Sequence, residues 1–145
     1  MLNFNWPINT EIKTKVSSMT SYAKVSGRLP DFKVRYRLLL EGGRQYYQGC
    51  RCDWSYKGDD ISETGIYMIW PQFLALDGSV FPQDTPVPMT GMATMWIVSP
   101  EMRRQIHCSR IQLGVKGYFM EGGRLVAVAI VTEVIGLHSN AYLSC

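Results

Sequence analysis

Phe119-Met120-Glu121-Gly122-Gly123-Arg124-Leu125-Val126-Ala127-Val128-Ala129-Ile130-Val131-Thr132-Glu133 is the stretch on which the fold turns. Two adjacent glycines adopt the positive φ angles of a tight turn at no steric cost, so the chain should reverse at Gly122-Gly123. On the incoming side Ile111, Leu113, Val115 and Phe119 alternate with more polar residues, the period of a strand with one buried face. On the outgoing side Leu125 to Ile135 is apolar at almost every position and rich in valine and isoleucine. That pattern belongs to a strand covered on both faces or running through a closed barrel.

Working outward, the same punctuation occurs earlier, at Glu41-Gly42-Gly43-Arg44. Residues 32 to 40 lead into it, with Phe32, Val34, Tyr36, Leu38 and Leu40 on one face and Lys33, Arg35 and Arg37 on the other. Between the hairpins lie three shorter strand candidates, Cys52 to Tyr56, Gly65 to Trp70 and Met92 to Val98, separated by Gly, Pro and Asp clusters. No helix is expected to interrupt them. The predicted fold is all-β and mainly antiparallel, a small closed Greek-key-type barrel of about six strands, because closure hides the edges of so many short strands. The barrel is assigned to residues 32–137. Residues 1–31, with Trp6-Pro7 and a Ser/Thr-rich run, form an N-terminal extension or accessory element, and 138–145 a C-terminal tail.

Composition bounds the rest. At 145 residues with 46% hydrophobic content, the chain is one domain long and has enough apolar side chain for an ordinary core. The formal charge of +3, from fifteen basic and twelve acidic residues, is too mild to mark a nucleic-acid binder by field strength alone. No stretch approaches the roughly 20 apolar residues of a membrane span, and residues 1–15 lack the apolar run of a signal peptide, so the chain is expected to be cytoplasmic and away from membranes. Cys50, Cys52, Cys108 and Cys145 lack the density of a secreted disulfide framework and are expected reduced. Cys50 and Cys52 share a strand face, but no second cysteine or histidine pair stands at a zinc-site interval, so no metal is predicted.

With both Glu-Gly-Gly-Arg turns in place, the strand series resembles the third, C-terminal barrel domain of bacterial elongation factor Tu. In that family the first turn soon precedes an Arg-Pro-Gln-Phe-Tyr signature, against which Arg51-Cys52-Asp53-Trp54-Ser55-Tyr56 is laid, keeping the arginine and the aromatic character. Ser62-Glu63-Thr64-Gly65 loosely matches a Thr- and Gly-containing strand, and Met89-Thr90-Gly91-Met92 matches a Met-Pro-Gly-Asp turn. The family's Arg-Glu-Gly-Gly-Arg-Thr-Val-Gly-Ala-Gly-Val-Val-Thr-Glu run is similar to Met120 through Glu133 and is the most specific match. The resemblance covers roughly residues 32–135. It implies a stand-alone barrel whose family counterpart contacts the T-stem backbone of aminoacyl-tRNA, packs on a GTPase domain and touches the exchange factor. Arg51, Gly122, Gly123 and Arg124 are the matching positions. No Gly-x-x-x-x-Gly-Lys-Ser/Thr phosphate loop occurs, so no GTPase chemistry, nucleotide or other cofactor is expected.

Arg51 and Arg124 are placed to meet phosphates, with the Gly-Gly turn allowing close backbone approach, although glycines in a hairpin are explained by turn geometry alone. Lys33, Arg35 and Arg37 form a cationic row, and Arg103, Arg104 and Arg110 a second basic stretch. Both also fit solvated faces. His107 beside Cys108 is not expected to form a catalytic dyad, because neighbours in a strand point to opposite faces. Asp59, Asp60 and Glu63 fit a hydrated loop. Trp54, Trp70 and Trp96 suit a core or a partner anchor, and the methionines from Met89 to Met102 suit either the filling of irregular gaps or an adaptable interface left bare where the family's GTPase domain would pack. The expected function is a non-enzymatic macromolecule-binding module engaging a protein partner or self-associating. The alternative is a tRNA/RNA-binding or translation-associated factor.

Overall fold

The computed structural model describes residues 27–39 and 45–140. The first Glu-Gly-Gly-Arg turn, Cys145 and nearly all of the N-terminal extension lie outside them. Strands β1 (Phe32–Leu38), β2 (Asp53–Tyr56), β3 (Ile69–Leu74), β4 (Thr90–Ile97), β5 (Lys116–Glu121) and β6 (Arg124–Val134) form one curled sheet in the order β2-β5-β6-β1-β4-β3. Every pairing in it is antiparallel. Its two ends approach at one point, where Trp54 of β2 and Tyr67, just before β3, exchange both backbone hydrogen bonds at 2.8 Å.

The terminal hairpin forms as its glycines require. Gly122 takes φ 60°, and β6 runs back from Arg124. Two expectations are corrected upstream of it. Residues 111–115 are not strand: Gly114 turns at φ 86° and β5 starts only at Lys116. Helical segments also interrupt the strands, namely α1 (Ile61–Thr64), then α2 (Pro100–Met102), a π turn (Arg103–His107) and α3 (Cys108–Arg110) in succession, and finally α4 (Leu137–Asn140). The start of α2 is written in the sequence. Ser99 accepts from the Met102 amide at 3.1 Å, and Pro100 follows as the first helical residue. The third strand sits later than expected, at Ile69–Leu74, and contains Pro71, which the sheet tolerates because β3 is a terminal strand in the order.

The inner face of the sheet carries an aromatic core. Phe32, Tyr36, Trp54, Phe73 and Phe119 are buried, and their rings meet edge-on, tilted or stacked with centroids 5.2 to 6.3 Å apart. Burying each such ring contributes about 1.5–3 kcal/mol from apolar area alone. Room for the largest comes from a glycine. A Cβ on Gly117 would lie 2.3 Å from Trp54 Cζ2, so no other residue fits beneath that indole without displacing it. A buried polar knot closes one end of the sheet. Asp31 accepts from the Ile97 amide at 2.7 Å and Asn140 Nδ2 at 2.8 Å and pairs with Arg103 Nε at 3.4 Å. Arg103 donates in turn to the Ile97 and Asn140 carbonyls, so this knot joins β1, β4, the π turn and α4.

Candidate functional site

The outer face of the same sheet is where unexplained chemistry accumulates. In register across β5, β6, β1 and β4 run two cross-strand rows. One is Tyr118, Val128, Arg37 and Thr90; the other is Lys116, Ile130, Arg35 and Met92. Strand spacing makes each row about 14 Å long. Lys57, which follows β2, and Leu76, which follows β3, add to the lining, and the whole forms an open groove of about 680 Å³. The apolar character of β6 on both faces is thereby accounted for: Ala127, Ala129 and Val131 enter the core, while Val128 and Ile130 form the half-buried floor of the groove.

Arg35, Arg37, Lys57 and Lys116 are exposed, and among the described residues none of their side chains has an ion-pair or hydrogen-bond partner. No described acidic side chain lines the groove. Four uncompensated cations around an aliphatic floor raise the local potential over a surface that water solvates poorly. Directly beneath, the Tyr36 hydroxyl donates to the Pro88 carbonyl at 3.0 Å, and burial pushes its pKa up to about 12, so this floor carries no titratable anion at neutral pH.

The row expected on β1 divides. A bulge between Lys33 and Val34 sets Lys33 opposite Glu133 on β6, whereas Arg35 and Arg37 enter the groove. Lys57 and Lys116 had not been singled out. Lys116 was findable, since it alternates outward with Tyr118 on β5, but Lys57 sits on a loop and carries no periodic signal. The second basic stretch does not converge on the groove. Arg103 is buried against Asp31, and Arg110 makes a two-pronged pair with Asp59 at 2.9 and 3.1 Å while its guanidinium lies 3.9 Å above the Tyr56 ring.

Arg51 and the Gly122–Arg124 turn come to the same end of the sheet, because Asp53 pairs with Met120 and Glu121 with Arg124. Each arginine there has its own acid: Arg51 bonds Asp53 at 3.3 Å, and Arg124 bonds Glu121 and reaches the Tyr46 hydroxyl. Gly122 and Gly123 serve the turn. The other clusters are engaged structurally. Asp60 caps α1 through Ser62, a bond that holds its carboxyl below the usual range. His107 is helical, not in a strand, so strand alternation is not what separates it from Cys108. The imidazole is fully buried, with Nδ1 2.6 Å from the Tyr56 hydroxyl, while Cys108 Sγ points to the Leu137 carbonyl. Burial, then the charges of Arg110 and Arg103, lowers the His107 pKa to about 4. Cys52 is buried with its thiol pushed up by a hydrogen bond with Cys50 and by desolvation. Among the described residues no group of three acidic, His or Cys side chains is arranged to hold a metal ion, and no helix is long and apolar enough to cross a membrane.

A scan against protein-family models finds no match to the chain, and no curated protein matches its sequence.

Proposed function

We propose that the chain is a non-enzymatic binding module, built on a closed barrel like the third domain of elongation factor Tu, that engages a protein partner through the outer face of β5, β6, β1 and β4. The observation that carries this reading is the groove itself, an aliphatic floor at Val128, Ile130 and Met92 ringed by four unpaired cations. Strand propensity alone favours valine and isoleucine on β6, but a half-buried apolar strip rimmed by unpaired charge supports an interaction site. Closure into a barrel is supported by the Trp54–Tyr67 bridge between the two ends of the sheet. The RNA reading has less support, because the family-matched Arg51 and Arg124 are each neutralised by a neighbouring carboxylate.

The test compares tagged wild-type protein with an Arg35→Glu/Arg37→Glu variant, captured from native extract with and without nuclease and quantified by mass spectrometry. A protein recovered by wild type, lost by at least about tenfold in the variant and indifferent to nuclease is the expected result. Recovery that is equal for both proteins, or that disappears with nuclease alongside salt-dependent tRNA retention on a filter, sinks the proposal.

A further inference from the structure

The groove also carries information about what occupies it. We infer that it takes an acidic amphipathic segment of the partner protein, with the segment's apolar side chains on Val128, Ile130 and Met92 and its carboxylates toward Arg35, Arg37, Lys57 and Lys116. This rests on the binding-module reading above and adds the chemistry of the ligand.

Charge and floor chemistry together select this occupant. The four cations are spread around the groove rather than gathered at one point, Arg35 and Arg37 on the central strand β1, Lys116 on β5 and Lys57 beyond it. Several anionic groups at separate positions satisfy them better than one terminal carboxylate. Guanidinium groups favour carboxylates by two-pronged hydrogen bonding, and all of them are unspent here. The floor, by contrast, is aliphatic. A nucleic-acid strand would place phosphates or polar base edges on valine and isoleucine, and of the aromatic platforms that hold unstacked bases the groove offers one that is accessible, Tyr118, since Tyr36 is buried. A peptide with alternating acidic and apolar faces covers both features at once.

The dimensions agree. Each cross-strand row, about 14 Å long, matches some two and a half turns of helix or four extended residues. The groove is open along its length, which suits a segment with one face left in water. None of the chain's own segments outside the described residues is an acidic one: residues 1–26 hold Glu11 against Lys13, Lys15 and Lys24, residues 40–44 hold one acid and one base, and residues 141–145 hold no charged side chain. The occupant is therefore assigned to another protein.

The experiment is fluorescence anisotropy with the full chain and three fluorescein-labelled probes: a 15-residue amphipathic Leu/Glu peptide, its Leu/Lys counterpart, and a 15-nucleotide oligo(U). The Leu/Glu peptide should bind with micromolar affinity, several-fold weaker in high salt. Val128→Ser/Ile130→Ser and Arg35→Glu/Arg37→Glu should each weaken it by about tenfold or more, each typical of losing buried apolar or charged contacts. Charge reversal at Arg35 and Arg37 should also confer binding of the Leu/Lys peptide, a gain that an unfolded variant cannot give, and Lys116→Glu provides a second, single-site reversal. Absence of Leu/Glu binding overturns the inference. So does binding indifferent to these variants, tighter oligo(U) binding lost with them, or a groove-dependent self-association in sedimentation that excludes the peptide. If the peptide fails while a nuclease-resistant partner is still captured through Arg35 and Arg37, the acidic chemistry falls and the binding module stands. If capture fails as well, both fall.

Discussion

The two faces of β1 are built from alternate residues of one seven-residue strand and obey opposite rules. Phe32, Val34, Tyr36 and Leu38 enter a closely packed interior where ring edges meet ring faces and a glycine is needed to seat an indole. Lys33, Arg35 and Arg37 face outward, and two of them stand over an apolar floor with no acid to answer them. The inner face is saturated in apolar contact: its large rings pack against one another within the fold. The outer groove is unsaturated in both hydrophobic contact and charge, and the binding role proposed for it rests on that imbalance.

The comparison is broken most forcefully from inside. Trp54→Ala removes a fully buried ring that touches Phe32, Tyr56 and Phe119, and should cost about 3–5 kcal/mol, read as a lowered urea midpoint by circular dichroism. A loss under about 1 kcal/mol would mean that the core does not depend on this indole.

Acid probes the same interior at its polar margin. His107 holds its proton less tightly when folded, about 4, than in the unfolded chain, about 6.5, so between those values the unfolded state binds more protons. Its contribution is intact above pH 6.5 and is lost as pH falls toward 4, amounting to about 3 kcal/mol across that window. Denaturation curves at pH 7 and 4.5 should separate strongly for wild type and by visibly less for His107→Gln. Equal pH slopes in the two proteins would show that the imidazole is not the group being titrated.

The smallest effect on folding belongs to the outer face. Arg35→Glu should change stability by no more than about 0.5 kcal/mol, since the guanidinium is exposed and, among the described residues, unpaired, while weakening the binding proposed for the groove. A large loss of stability from this change would place Arg35 in the fold's own energetics and erase the contrast between the faces.

Part of this was legible in the chain. The alternation of Phe32 to Leu38, the Gly122-Gly123 reversal and the valine-rich return strand each state a local rule, and β1, β5 and β6 formed accordingly, with β5 shorter than expected. The Ser99-Pro100 helix start follows an equally local rule, yet no helix was expected there. Lys57 and Lys116 were not legible as partners of Arg35 and Arg37, because their meeting depends on which strands become neighbours. Nor was the fate of Arg103, whose burial requires Asp31, 72 positions earlier, to stand beside it.

By itself, the sequence determined where the chain alternates, where it turns and which residues of each strand share a face, since these follow from side-chain geometry within a few residues. Only the tertiary structure decided that β6 lies between β5 and β1, and hence that its second apolar face becomes the floor of a cationic groove. Strand order and register are set by contacts between residues far apart in the chain, and those contacts assemble the two cross-strand rows from four separate strands.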